Sequence, residues 1–430
     1  MSTTPPSRRS RFGSLIVDPA PLRLDRDFRL LWMGQAVSTV GRMITAIVLP
    51  YQVYVLTGDV LAVGALSLVQ LVPILVFTLG GGAVADAVDR RKLLLATQVG
   101  LAIVTLGLAL LALVPAPPIA GIFALAFLAA GLGSVDQPTR ASAVPRLVPP
   151  ERLQSAISLN QLVFNAGAVV GPAIGGVIVA AFDVSAAYLI DAVTYGAAII
   201  ALLRMRPIPP APGAVRPSVA AVLEGLRFAR RRRPVLGTFV VDLVAMVFGS
   251  PRSLFPAMAL DVFRVGPVGL GLLSSAVALG AMLGALFTGW TTRVRRPGRV
   301  VLIAVAIWGL GIAGFGLFTF SFPLALLCLA IAAAADVVSA VLRSFMVQSL
   351  TPDALRGRVS SIHILVVTGG PRIGDAEAAA VAAIAGPVVS VVSGGILTVI
   401  GVGVLAVVMP EFAKVDMRRA EAETAAMAPA

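Results

Sequence analysis

The sequence predicts an all-α integral membrane protein, with twelve transmembrane helices in two six-helix halves. Three observations carry this. The 430 residues are 58% hydrophobic and 13% charged, with mean hydropathy +0.95. A soluble domain is closer to half apolar and about a quarter charged. The excess sits in a dozen apolar blocks, each near the roughly 20 residues needed to cross about 30 Å of hydrocarbon. The basic residues fall in every second interval between those blocks.

In chain order, residues 1–29 form a polar, arginine-rich tail expected in the cytoplasm. The first apolar block is too long for the core of a cleaved signal, so it reads as a retained first span. The N-terminal half, 30–203, holds spans at about 30–55, 60–84, 93–114, 118–140, 156–181 and 184–203. A linker at 204–233 opens with Pro207, Pro209, Pro210, Pro212 and Pro217. It continues as an amphipathic stretch, Val219 to Arg233, expected on the inner membrane surface. The C-terminal half, 234–409, holds spans at about 234–260, 268–290, 300–320, 323–345, 361–386 and 388–409, and a cytoplasmic tail covers 410–430. The halves match at an offset of 203. Gly34 meets Gly237, Arg90 meets Arg293, Arg140 meets Arg343, Pro149 meets Pro352, and Gly167 and Gly171 meet Gly370 and Gly374. These are punctuating residues near corresponding loops, as a parallel repeat of two halves requires.

Formal net charge is +13, and its placement orients the chain. Lys and Arg occupy 8–29, 90–92, 140–152, 204–233, 293–299, 356–358 and 414–419, whereas 58–59, 115–118, 183, 321–323 and 386–387 carry none. Arg264 alone breaks the alternation. The positive-inside rule then puts both termini in the cytoplasm of a cell-membrane protein. Because the charge follows span parity, anionic lipid explains it and nucleic acid does not. Cys328 is the sole cysteine and His363 the sole histidine, which removes a disulfide framework and any Cys/His metal cluster. Lys92 and Lys414 are the only lysines and neither follows a glycine, so there is no G-K-[ST] phosphate loop. No G-x-S-x-G nucleophile elbow occurs either. The expectation is a non-enzyme without cofactor or metal.

The loop after span two reads G-A-V-A-D-A-V-D-R-R-K, Gly82 to Lys92. It resembles the major facilitator signature G-x-x-x-D-x-x-x-R-R/K through Gly82, Asp86, Arg90 and Arg91, with Asp89 where a glycine is usual. Span five reads G-A-V-V-G-P-A-I-G-G, and Gly167, Gly171, Pro172, Gly175 and Gly176 resemble the facilitator antiporter motif, with Ser158 at the upstream glycine of its longer form. Residues 136–160, with P-T-R and P-R-L-V-P-P-E-R-L, resemble the efflux branch that includes siderophore and macrolide exporters. The likeness covers roughly residues 24–410. It implies the major facilitator fold, a loop cluster of Gly82, Asp86, Arg90, Arg91 and Arg140 that latches the halves in the outward-open state, and a cavity lined by helices one, four, seven and ten.

Polar residues fall on those four spans. Span one carries Gln35, Ser38, Arg42, Thr45 and Gln52 on one face, at steps of three, four, three and seven. Span seven carries Thr238, Asp242 and Arg252, span ten Asp336, Ser339 and Arg343, and span four Asp136 and Arg140. An ionisable group in hydrocarbon costs about 2.5–3.5 kcal/mol on insertion scales, so it should face protein or water and have a task. Asp242 and Asp336 are the leading candidates for proton coupling, with Asp136 third, since Asp136 also reads as a local ion pair with Arg140. Gln35, Ser38, Arg42, Thr45, Arg252 and Arg343 are the candidate substrate path. Arg372 and Asp375, three apart in span eleven, are expected to satisfy each other, and Asp191 is expected to be structural. The expected activity is proton-coupled export of a small amphipathic molecule by a monomer. The alternatives are an uptake symporter of the same fold and a non-transporting scaffold or sensor.

Overall fold

In the computed structural model the described residues are 18–209 and 226–416, without the side chains of 78–87, 353, 354, 361 and 364. Gly82 and Asp86 fall among those side chains, and Pro210, Pro212, Pro217 and residues 219–225 of the amphipathic linker stretch also lie outside the described residues. Among the described residues twelve long helices follow one another. They are α1 Arg26–Thr57, α2 Val60–Ala87, α3 Arg90–Ala112, α4 Ile119–Leu147, α5 Pro150–Ala181, α6 Val184–Leu203, α7 Arg233–Phe248, α8 Gly266–Leu286, α9 Pro297–Leu317, α10 Phe322–Ser349, α11 Asp353–Ala385 and α12 Pro387–Val408. Eleven of these, α7 counted through Val262, are long and apolar enough to cross a membrane. The exception is α11, which carries Arg372, Asp375 and Glu377 within six positions.

Helices satisfy their own backbone hydrogen bonds, which is why they suit a medium without water. Their outward faces are correspondingly apolar and uncovered, as at Ile103, Leu110, Val193 and Val407. Several helices outrun the apolar blocks. α4 reaches Leu147 and α5 begins at Pro150, so most of the basic segment between those two spans is helical. Asp89, which stands where the signature has glycine, caps α3 by accepting from the Arg91 and Lys92 N–H groups at 2.9 and 3.2 Å.

The seventh span departs from expectation. Hydropathy predicts one helix over 234–260, with Asp242 and Arg252 on a common stripe. Instead α7 ends at Phe248, and residues 252–262 continue as a 3-10 turn, a short α turn and a π turn. Gly249, Ser250 and Pro251 explain the break, because proline lacks an N–H and disfavours helical backbone at the residue before it.

Within each half the helices pack on one another, and the halves meet chiefly through α5 on α8 and α2 on α11. The core is distributed unevenly along this interface. At the end lacking basic loops, one apolar cluster runs through both halves, from Ile44, Val53 and Tyr188 to Leu254, Phe315 and Ala382. At the basic end there are two separate clusters. One, around Phe28, Leu94 and Leu202, belongs to the N-terminal half, and the other, around Val235, Met346 and Phe412, to the C-terminal half. The halves are therefore joined at one end and individually cored at the other.

Candidate functional site

Three of the expected residues converge in the C-terminal half. α7 supplies Asp242, and α10 supplies Asp336 and Arg343, seven residues apart and so two turns along one face. Arg343 Nη2 lies 2.8 Å from Asp242 Oδ1 and 3.6 Å from Asp336 Oδ1. Its Nη1 donates to Ser339 Oγ at 2.6 Å. The side chains of Asp242 and Arg343 are 2% and 3% exposed, whereas that of Asp336 is 26% exposed. Asp336 is thus the member water reaches. Asp242 Oδ2 and Arg343 Nε are buried with no hydrogen-bond partner. The group holds two acids and one base. His363 of α11 stands beside it, within Coulomb range of Arg343 and with its ring 6.3 Å from that of Phe239. A lone histidine outside any pattern gave no sequence signal for this.

Asp136 sits elsewhere, buried between α3 and α4. It accepts from Thr97 Oγ1 and Gln98 Nε2, each at 2.8 Å, and pairs with Arg140 at 3.1 Å. Thr97, Gln98 and Arg140 thus surround it, and the arrangement is a local ion pair supported by two neutral donors. Of the first-span stripe, Ser38 donates to the Gln35 backbone carbonyl at 3.4 Å and Gln35 Oε1 is buried with no hydrogen-bond partner, while Arg42 lies within Coulomb range of both Asp136 and Asp191. Thr45 and Gln52 turn toward α6. Thr45 donates to Asp191 at 2.5 Å, and Gln52 accepts from the Tyr188 hydroxyl at 2.8 Å.

Of the loop cluster, Arg90 donates to Ser142 Oγ at 3.0 Å and to the Pro209 carbonyl at 3.2 Å. Arg91 donates to the Leu202 and Leu203 carbonyls at 2.6 and 2.7 Å. That places a cation on carbonyls at the C-terminal end of α6, the favourable pole for positive charge.

The span-five motif works on two faces. Gly167, Gly171 and Gly175 lie against α1. A side chain at Gly171 would come within 2.5 Å of Met43 Cβ and 3.0 Å of the Val40 carbonyl. Pro172 and Gly176 lie on the other face, against α8 of the opposite half. There a Cβ at Gly176 would come within 2.4 Å of the Pro267 carbonyl, and one at Gly271 within 2.4 Å of the Pro172 carbonyl. Ser275 of α8 donates to the Val169 carbonyl at 2.7 Å across the same seam.

Arg372 and Asp375 do not form an ion pair with each other, contrary to expectation. Both reach α2, where Arg372 donates to Gln70 and Asp375 accepts from Ser67 at 3.1 Å. Asp375 also accepts from the Ser253 N–H at 3.1 Å. The two helices run antiparallel, so partners three residues apart on one meet partners three apart on the other. A further contact joins the halves at the end without basic loops, where Tyr54 donates to Asp261.

Residues 17–428 match the family described as transmembrane secretion effector. The enterobactin exporter EntS of Shigella boydii serotype 18 is 29% identical over 377 residues, covering 88% of this chain and 90% of that protein. The exporter of the same name from Escherichia coli O139:H28 is 28% identical over the same lengths. Among solved structures, a POT family transporter in complex with 5-aminolevulinic acid superposes with a TM-score of 0.70 at 16% identity, covering 91% of this chain and 97% of its own. A bacterial homologue of the iron transporter ferroportin in an inward-facing state gives 0.68 at 16% identity, covering 91% and 100%.

Proposed function

The chain belongs to the transmembrane secretion effector family of major facilitator transporters, and from that premise we propose that it exports a small amphipathic molecule, drug-like or siderophore-like, by proton antiport and alternating access. Membership makes it a multi-pass membrane transporter of small molecules. Direction and cargo class follow the enterobactin exporters it is similar to.

The observation that carries the coupling is the Asp242–Arg343–Asp336 group. One guanidinium neutralises one carboxylate. With both acids ionised the site holds a net negative charge, and one proton brings it to zero. In a low-dielectric interior that difference is large enough to tie proton occupancy to whatever else enters the site. Asp336, partly exposed, is the point of proton entry, and Asp242 behind it holds Arg343 in place. In the export cycle, protonation from the acidic exterior weakens binding of a polar or cationic substrate group, and deprotonation toward the cytoplasm restores it. Arg42 and Gln35 supply polar contacts from the N-terminal half. Asp86 with Arg90, Arg91 and Arg140 balances the two access states from the cytoplasmic loops. Both termini face the cytoplasm and the working unit is a monomer.

Reconstitution into proteoliposomes tests this. With a panel of drugs and siderophores, substrate should accumulate in an acidic lumen, and a protonophore should abolish the accumulation. Accumulation in an alkaline lumen would mean symport, and absence of flux for every compound would favour the scaffold.

A further inference from the structure

Where α2 meets α11, two charges of one half rest on two neutral side chains of the other. Ser67 Oγ of α2 donates to Asp375 Oδ2 at 3.1 Å, and Arg372 donates to Gln70 Oε1. The second carboxylate oxygen, Asp375 Oδ1, accepts from the Ser253 N–H at 3.1 Å, and Ser253 Oγ donates to the Asp375 carbonyl at 2.8 Å. That N–H lacks a helical acceptor because the break before Arg252 starts a new turn there. One carboxylate thus joins α2 to α11 and to the broken seventh span. The contact is dry. Ser67 and Asp375 are each 7% exposed, and a Cβ at Gly64 would come within 2.5 Å of Ala379 Cβ, so the two backbones lie close.

Both charges belong to the C-terminal half. Residues 60–77 of α2 carry no charged side chain, so the N-terminal half brings only a hydroxyl and an amide. In an alternating-access cycle the end without basic loops must open in turn, and α2 then leaves α11 there. Parting them strands a guanidinium and a carboxylate, which a membrane interior tolerates badly when each is alone. The two stand three apart on α11, a spacing at which side chains meet, and each already lies within Coulomb range of the other. Arg252, exposed and in the same half, is within Coulomb range of both and stays with them. The Ser253 contacts do not cross between halves. They survive the opening and hold the carboxylate in place while Oδ2 is uncovered.

We propose that Arg372 and Asp375 form a partner-exchange switch. With α2 seated they bond to Gln70 and Ser67. When α2 withdraws, Asp375 Oδ2 gives up Ser67 and accepts from Arg372. The proposal rests on the alternating-access reading and adds a contact that sets the balance between its two states. Both arrangements satisfy both charges, as an element with two stable states requires. The neutral partners on α2 fit this role. An acid or base there would make a buried ion pair across the halves, and opening would leave a charge unpaired on each side. A passive joint would not need charge on α11, because hydroxyl and amide groups bond equally well to neutral side chains.

Double electron–electron resonance on the full chain in nanodiscs, without substrate or proton gradient, tests the switch. Spin labels are carried by Val114→Cys and Phe320→Cys on a Cys328→Ala background, two exposed positions of opposite halves beside loops that lack basic residues. Opening of that end lengthens the distance between them. Gln70→Ala removes a partner used only in the closed state. It should raise the ratio of long to short distances roughly tenfold, as loss of one hydrogen bond to a charged group does. Ser67→Ala should shift the ratio the same way. Adding Arg372→Gln to Gln70→Ala removes the open-state pair and should bring the ratio back down, whereas adding Arg372→Lys keeps the charge and should leave it high. Melting temperatures check that each variant is folded. A ratio unchanged in folded Gln70→Ala or Ser67→Ala would overturn the proposal. So would a ratio that Arg372→Gln leaves unchanged or raises in the Gln70→Ala background, which is the outcome for a passive joint. No long distance in any variant, with proton-driven flux absent as well, would overturn alternating access and the switch with it. Flux present with the ratios unmoved would remove the switch alone.

Discussion

Arg343 offers a single nitrogen, Nη2, to two carboxylates at unequal distances, so the two acids cannot behave alike. Asp242 is enclosed and its pairing is close. Removing it leaves a buried cation without its nearest partner, which costs about 3–5 kcal/mol in comparable pairs. Asp336 is farther away and partly wet, where a pair contributes about 1 kcal/mol or less. Asp242→Ala should therefore lower the melting temperature of purified protein much more than Asp336→Ala. Equal effects would mean that Asp336 is the structural member. Asp242, Asp336 and Arg343 were each legible as stripe residues, because spacing along a helix fixes its face. Their meeting was not, because it depends on how α7 and α10 approach each other. The same limit explains Arg372 and Asp375. Spacing of three allowed a pair within α11, but Gln70 and Ser67 stand at matching spacing on α2 and take the two charges separately.

Among the elements, the seventh span shows where hydropathy patterning misleads. The apolar run continues through Gly249–Pro251, so composition reads a single helix, and only the local chemistry of Pro251 ends it. The cost of that misreading was Arg252, which leaves the Asp242 stripe and faces α11 instead. The α5–α8 seam was legible in part. The glycine spacing gave a smooth face, but a motif cannot say that Gly167, Gly171 and Gly175 serve α1 while Gly176 serves the other half. Gly176→Leu forces side-chain atoms against the Pro267 backbone, so it should cost about 1–3 kcal/mol of stability. It should also disfavour the state in which α5 and α8 touch at this end, raising reactivity of nearby single cysteines toward impermeant reagents. A cap offers a cleaner test of one helix. Asp183 accepts from the Ala186 N–H and the Ser185 hydroxyl, each at 2.7 Å, and the Ala186 contact first of all holds its carboxyl below its ordinary value of 3.8. The folded value lies below the unfolded one, so this contribution is present above about pH 4 and is lost as pH falls through the folded value. Asp183→Ala should cost about 1 kcal/mol at neutral pH, read as a lower melting temperature, with the difference shrinking in acid.

At the scale of the molecule, one shared core and two separate ones describe a transporter closed at the end without basic loops. In the proposed orientation that is the external end, and the arrangement is then the cytoplasm-facing state of the proposed alternating-access cycle. Tyr54 and Asp261, from opposite halves, sit at the closed end. Cysteines placed at both positions on a Cys328→Ala background should be joined by a short bifunctional methanethiosulfonate, which forms disulfides, and transport should stop until these are reduced. Efficient linking with transport unaffected would show that this end need not open. Span count and charge asymmetry were readable because each rests on local composition, whereas which end is closed rests on contacts between residues some 200 positions apart.

In the proposed mechanism Asp242 and Asp336 tie proton movement to substrate movement. The most direct test is proton-driven accumulation in proteoliposomes carrying Asp242→Asn or Asp336→Asn, each of which keeps side-chain shape and removes titration. Both variants should lose gradient-driven accumulation, while at least one retains substrate binding or downhill exchange. Wild-type pH dependence persisting in both would contradict the account and move the coupling site to Asp136 or Asp375.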